Sequence, residues 1–431
     1  MRVLFLSDLS DPSIGSSVRQ TYQLAEELRR LGHETALVTA VQDPALATPT
    51  EILGLQTFRL HSDYNVRFRA WVALDNPRMR EPLRAVLAAW KPDVVHAHLV
   101  HTHLSYASLG AARRAGAAVV FTAHDVMTFC QQKLTCFHGG AERQGELRDY
   151  RAYWQKCLPC QRLRYNPWRN RAIRRVLARD VDRLTVVSDE LGRALAANGI
   201  RVDRTVHNAI RPHAALPAPE EVLDFKRRQG LEGAQVVTLA GRLHEQKGVA
   251  QLFAMLARLA PELPRLRLLL LGRREVYEQE FAALARELGI EGRIVAPGWL
   301  DGDELAQAWG ATDVLVTPSI CFDTFGLVNL EAMEHAKPVV ATSFGGSPEV
   351  VEHGVTGFVA NPFDLEAFSG RIRALLDRPD LAQRLGQAGY LRMRQHFRIE
   401  RLAAELLEEY AAALVSLRRG PLPEREAVIR A

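Results

Sequence analysis

The chain has 431 residues, 47% of them hydrophobic and 24% charged, with a formal net charge of +5. That length exceeds what one hydrophobic core supports, so two domains are expected in an ordinary soluble globular protein. No apolar run reaches the roughly 20 residues of a membrane-spanning helix, and a pI of about 9.0 tolerates nucleotides, phosphates or anionic lipid as partners without demanding any.

The opening MRVLFLSDLS is too short and too soon interrupted by Asp8 for a signal peptide. RVLFLS (2–7) reads instead as a buried strand, and a cytoplasmic protein with five reduced or metal-bound cysteines is expected. TYQLAEELRRL (21–31) has helical spacing of Leu24, Ala25, Leu28 and Leu31, with Gly32 as a stop. Strand HETALVTA follows, then strand DVVHAHL (93–99), helix SYASLGAARRAG, strand AVVFTAHD, strand LTVVS (184–188) and helix DELGRALAANG. Strand–helix alternation of this kind predicts parallel sheets covered by helices.

The pattern then restarts. VVTLAGR (236–242) is a strand, 248–260 a helix, and LRLLLLG, RIVAPG, DVLVTPS, PVVAT and GFVA are five further strands. Between the halves, HNAIRPHAALPAPEE (207–221) loses all periodicity. The predicted domains are therefore 1–208 and 209–395, followed by a long helix ending at residue 418 and a frayed tail over 419–431. In two-lobed α/β proteins ligands bind beyond the C-terminal ends of strands, so the loops just after strands carry the interest.

Two such loops stand out. AGRLHEQKGV (240–249) places Arg242 and Lys247 before a helix whose N-terminus adds bare amides. A planar guanidinium fork, a compact ammonium and helix amides can hold a diphosphate without a metal, although a solvated basic loop reads the same way. PSICFDTFGLVNLEAM (318–333) carries Asp323 before a helix start at 325–327 and Glu331 inside that helix. Gly326 allows close backbone approach, and the two carboxylates can accept hydrogen bonds from sugar hydroxyls. Phosphate and polyol together describe a nucleotide-sugar.

GRLHEQKG, PSICFDTFGLVNLEAMEHAKPVVAT and GGSPEVVEHGVTGFV, in this order, resemble the signature of retaining glycosyltransferases of family 4. SDLSDPSIGSSVRQ, PDVVHAHL and FTAHD are similar to the family more weakly. The resemblance implies the GT-B architecture, two Rossmann-like domains facing across a cleft, with the last helix (396–418) crossing back to the first domain. It implies that Arg242 and Lys247, beside Gly241, bind the donor diphosphate and Glu331 the ribose. Phe325, Gly326, Leu327 and Val328 would meet sugar and phosphate through their backbone. Asp323 would face the sugar, Gly15 and Ser16 would admit the diphosphate, and His124 would lie beside the transferred sugar and acceptor. Asp323 stands where the family usually has Glu, and IGSS where many relatives have paired glycines. Catalysis without a metal, on a nucleotide-diphosphate-sugar donor and a saccharide or lipid-linked acceptor, follows from the resemblance. A nucleotide-sugar-binding subunit without turnover and a sugar-nucleotide epimerase are the alternative functions, and no nucleic-acid partner is expected.

Cys130, Cys136, Cys157 and Cys160 form C-x5-C, a gap and C-x2-C. Four thiolates suit structural zinc, and four separate thiols fit equally well. They lie in a segment, about 126–165, that is similar to a Cys-bearing insertion of some family 4 enzymes. His96, His98, His101 and His103 read as a polar cleft wall rather than a metal cluster. The pairs Asp180/Asp182 and Asp301/Asp303 look like short metal motifs that chance readily supplies. The basic run RLRYNPWRNRAIRRVLAR (162–179) is either a solvated helix face or a surface for peripheral contact with anionic membrane.

Overall fold

The computed structural model describes residues 1–12, 15–139, 145 and 147–419. The chain forms two compact units. The first takes Met1–Leu134, Tyr150–Ala209 and the helix Ile399–Arg419; the second takes Thr135–Asp149 and Ile210–Arg398.

The first unit is built on eight strands: β1 (Arg2–Ser7), β2 (Glu34–Val41), β3 (Thr50–Ile52), β4 (Leu55–His61), β5 (Val94–Leu99), β6 (Ala118–Ala123), β7 (Arg183–Val186) and β8 (Arg204–Thr205). Their order is β3-β4-β2-β1-β5-β6-β7-β8. All pairings are parallel except the β3–β4 hairpin. Leu53 and Gly54 turn that hairpin with φ of 49° and 72°, the two positive values that a tight two-residue turn requires. The sequence reading did not contain β3 or β4, whose mixed exposure gives no clean period. The core of this unit joins Val3, Phe5, Leu24, Leu28 and Val94 to Leu402, Ala403, Leu406, Tyr410 and Ala413 of the last helix. An amphipathic stripe on Ile399–Arg419 therefore belongs to the first unit, although it comes last in the chain.

The second unit is a six-stranded parallel sheet, in the order β11-β10-β9-β12-β13-β14. Its strands are β9 (Gln235–Ala240), β10 (Leu266–Leu271), β11 (Ile294–Gly298), β12 (Val314–Thr317), β13 (Val339–Thr342) and β14 (Gly357–Ala360). Near-continuous apolar runs such as LRLLLL suit strands buried on both faces. Residues 135–149 group with this unit rather than with the first, where the sequence put the whole segment 126–165. The physical reason is aromatic: the Phe137 ring lies 5.2 Å from Phe344 and 5.9 Å from Phe322, and His138 stacks on Phe344 at 5.6 Å. The tail expected over 419–431 falls outside the described residues, apart from the backbone of Arg419.

In both sheets the chain runs outward from a first strand, then returns to build on its other side. The reversal lies between β1 and β5 in the first unit and between β9 and β12 in the second. Loops leaving such a pair of strands diverge and leave a crevice, which is where open α/β sheets take ligands.

Candidate active site

In the second unit the loops after β9 and β12 are fastened to each other. The amides of Ile320 and Cys321 donate to the Gln246 carbonyl at 3.0 and 3.3 Å. Gly248 has φ 75°, and a Cβ there would lie 1.9 Å from the Pro318 carbonyl oxygen. This contact places the short turn Glu245–Lys247 directly against the β12 loop. Lys247 Nζ then donates to Asp323 Oδ2 at 2.9 Å, and Ser319 Oγ donates to the same oxygen at 2.9 Å. Burial alone would raise the Asp323 carboxyl. The Lys247 charge and the hydrogen bonds from Lys247, Ser319 and the Phe325 amide outweigh it and hold Asp323 below the usual carboxylate range. Lys247 is correspondingly raised: its desolvation is overcome chiefly by Asp323, while Arg242 opposes the rise. Arg242, Lys247 and Asp323 thus share one electrostatic neighbourhood at the reversal of strand order.

Gly326 caps the helix Leu327–Glu334 in a left-handed conformation, φ 80°. The helix starts inside the range that the sequence suggested. Asn329, fully buried, accepts from Thr317 Oγ1 at 3.0 Å and so fixes the helix to the end of β12. Phe325 is buried against Phe397, with ring centroids 5.9 Å apart. Its side chain serves the core, which leaves backbone as its only offer to a ligand. Gly345, φ 68°, comes so close beneath the loop that a Cβ would lie 2.0 Å from the Asp323 carbonyl oxygen. The Gly346 amide donates to that oxygen at 2.7 Å. Glu331 is half-buried in the helix, one turn before Glu334. Gly241, with φ 109°, and Arg242 are exposed. Sequence reading missed Ser319, Asn329 and the Gly345–Gly346 turn; GGSP, inside a quoted motif, was the available signal for the last.

In the first unit Asp8 follows β1 and accepts from the amides of Thr102, His103 and Leu104, at 2.7 to 2.9 Å. One carboxylate thereby closes the loop after β5. His124 follows β6, and its Nε2 lies 2.6 Å from His98 Nδ1. Gly15 caps the helix Ser16–Arg30 in an extended conformation, with open space where a Cβ would be. His96 is not part of a wall. It is completely buried, with Nδ1 2.7 Å from Tyr410 Oη and Nε2 2.7 Å from Thr122 Oγ1, which in turn meets Thr185. β5 is buried from Val94 through His98, so no face of it leaves His96 at the surface, and its ring nitrogens are satisfied from the last helix and from β6.

Burial, with the His124 charge second, pushes His96 down to about 3, and burial pushes His124 down to about 4. Both stay neutral in the folded chain where an unfolded histidine, near 6.5, takes a proton. Their contribution is present above about pH 6.5 and lost as pH falls toward those folded values, at about 1.4 kcal/mol per histidine per pH unit. Denaturant unfolding should therefore show a clear drop in stability between about pH 7 and pH 5, and a flat profile would contradict the burial of this pair.

Asp180 and Asp182 serve the fold. Asp182 accepts from the Val119 amide at 2.9 Å and pairs with Arg113, and Asp180 pairs with Arg179 at 2.7 Å. Asp301 stands at the N-terminus of the helix Gly302–Ala311. Cys130, Cys157 and Cys160 belong to the first unit and Cys136 to the second. Among the described residues, no cysteine belongs to a group of three His, Cys, Asp or Glu close enough to share a metal. Cys157 and Cys160 lie on the helix Trp154–Gln161 rather than on the turn that C-x2-C zinc sites use. The basic run splits into a short turn, Arg162–Arg164, and the helix Arg169–Asp180, which buries Arg169, Ile173 and Leu177. A cavity of about 500 Å³ near Phe129, Arg174 and Asn198 contains none of the predicted site residues.

Two doubly wound sheets in one chain, the second presenting cations and a glycine-capped helix where its strand order reverses, are the build of the GT-B glycosyltransferases. Sucrose-phosphate synthase from Thermosynechococcus elongatus matches with a TM-score of 0.75 and 20% identity, over 96% of this chain and 99% of that one. Alr3699/HepE from Anabaena, solved in complex with UDP, matches with a TM-score of 0.72 and 19% identity, over 96% and 100%. In sequence, glycogen synthase of Mycobacterium tuberculosis is 26% identical, over 96% of this chain and 95% of its own length. Residues 17–213 match Glycosyltransferase Family 4, and residues 223–392 match Glycosyl transferases group 1. The chain belongs to this glycosyltransferase family.

Proposed function

We propose that the protein transfers a hexose-type sugar, with retention, from a nucleotide-diphosphate-sugar to a saccharide or lipid-linked acceptor in cell-surface polysaccharide or glycoconjugate synthesis. The observation that carries this reading is the Lys247–Asp323 pair, 2.9 Å apart, set beside Arg242 and the Gly326-capped helix at the sheet's reversal point. As the sugar–phosphate bond breaks, negative charge grows on the leaving diphosphate. Fixed cations and helix amides stabilise it without rearranging. Arg242 and Lys247 hold the diphosphate, with Gly241 leaving room beside them, and Glu331 holds the ribose. Asp323 and the backbone of Phe325, Gly326, Leu327 and Val328 meet the sugar. Gly15 and Ser16 let the diphosphate approach closely, and His124 serves the transferred sugar and acceptor. The leaving phosphate oxygen takes the acceptor's proton on the same face, so these side chains need supply no nucleophile. UDP-glucose is the first donor to test, because Alr3699/HepE, which shares this fold, has been solved with it.

The test is incubation of purified protein with nucleotide-sugars, with and without acceptor saccharides. Acceptor-dependent release of nucleoside diphosphate with a retained anomer supports the reading. Binding without turnover indicates a carrier subunit, and acceptor-independent conversion of the sugar indicates an epimerase.

A lipid-linked acceptor is favoured by the surface of the first unit. Phe68, Trp71, Trp154, Leu163 and Trp168 are exposed, with Arg67, Arg162 and Arg164 exposed among them. Asn166 Nδ2 donates to the Ala70 carbonyl at 3.1 Å, which brings the two segments side by side. Aromatic rings interleaved with arginines suit the interface of an anionic bilayer, here on the cytoplasmic side. Among the described residues no helix is long and apolar enough to cross a membrane. The protein should float with vesicles containing anionic lipid and not with neutral ones; Trp71→Ala with Trp168→Ala should abolish flotation, and equal recovery in all arms would count against docking.

A further inference from the structure

The segment that opens the second unit, 210–218, is fastened to the helix Leu327–Glu334 at its C-terminal end. His213 donates its main-chain N–H to the Glu334 carboxylate, and His213 Nδ1 lies 2.9 Å from Glu334 Oε1. The next residue, His335, turns its ring edge-on to His213, with centroids 6.1 Å apart. One ligand atom from each of the three residues lies within 4.8 Å of the others. Glu334 is 4% exposed and His335 7%, whereas the side chain of His213 is 52% exposed, so the group is enclosed yet reachable from solvent.

A His213–Glu334 ion pair explains two members of this group. It does not explain the third. His335 Nε2 is buried without a hydrogen-bond partner, a condition that buried polar atoms rarely hold without a use. The nearest cation in sequence, Lys337, is turned to the Gly310 carbonyl at 2.7 Å, while the charges of Glu331 and Asp303 also reach His213. Two imidazoles and a carboxylate, in a locally acidic setting, are the donor set that binds zinc-like divalent ions and leaves a coordination position for water.

We propose that His213, Glu334 and His335 bind one late first-row divalent cation of the zinc type. The ion ties the segment between the units' folds to the helix that carries Glu331, three residues before Glu334. Its role is to hold that helix end and the connecting segment in one arrangement, and it takes no part in the transfer chemistry.

The test uses the full-length protein stripped with chelator and titrated with Co²⁺. One equivalent should bind, with visible ligand-field bands and no thiolate charge transfer in the near ultraviolet. His213→Ala, at a half-exposed position that folding tolerates, and His335→Ala should each weaken binding by about tenfold or more. Zn²⁺ should raise the melting temperature of the wild type and not of these variants. Three results overturn the proposal: no binding, binding unchanged in both variants, or a spectrum dominated by thiolate charge transfer, which assigns the ion to the cysteines. None of these readouts depends on glycosyl transfer.

Discussion

Lys247→Ala should lower turnover at saturating donor by about a hundredfold to a thousandfold, the loss seen when a fixed donor to developing negative charge is removed. The side chain is held in advance by Asp323 at 2.9 Å, in a turn that is itself fastened to the β12 loop through Gln246. Pre-positioning makes its charge useful in the transition state, because no reorganisation is needed when the diphosphate departs. The substitution also strips Asp323 of its main counter-charge. Asp323 contributes stability above the unfolded carboxylate range, and loses it as pH falls through its depressed folded value. In the variant that value rises toward the unfolded one, so this contribution shrinks, and it reverses where burial carries the folded value past the unfolded one. Lys247 is 40% exposed, so solvent screening keeps the stability effect to about 1 kcal/mol. Steady-state kinetics beside urea unfolding separates the two. Turnover within about threefold of wild type would remove Lys247 from the transition state.

Gly248→Ala should be among the most damaging single-methyl changes in the second unit. The residue has φ 75°, which penalises any side chain, and the new Cβ would lie 1.9 Å from the Pro318 carbonyl oxygen. Backbone on both sides of the contact leaves no flexible group to yield. Left-handed strain and overpacking together cost about 2–4 kcal/mol. The urea midpoint should fall accordingly, and donor binding should weaken because the turn Glu245–Lys247 is pushed off the β12 loop. Gly15→Ala is the contrasting case: its backbone is extended and no atom lies within 4 Å of the added methyl. Its stability should stay within about 0.5 kcal/mol of wild type. Equal midpoints for Gly248→Ala and wild type would show that the two loops are not in contact.

The parallel strands were legible because burial on both faces writes itself as apolar runs: VLVT, VVAT and LRLLLL needed no partner to be recognised. The post-strand loops were legible because glycine, lysine and carboxylate in those places have few other uses. What escaped the sequence was pairing. That Lys247 and Asp323, 76 positions apart, share a hydrogen bond depends on the reversal of strand order, which no local pattern carries. His96 looked like part of a polar cleft wall because four histidines cluster near the end of one strand, and only partners such as Tyr410, 314 positions later, make it a core residue. Residues 135–149 changed unit because one phenylalanine and one histidine found an aromatic cluster remote in sequence.

The last helix has a consequence for synthesis. A ribosome that has emitted the chain through Arg398 has delivered every residue of the second unit, but the first still lacks Leu402, Leu406 and Tyr410 from its core. His96 Nδ1 waits for a partner that arrives only with Tyr410. The half of the chain made first is therefore the half completed last, and a nascent chain interrupted before the final helix holds a finished second unit beside an open first one.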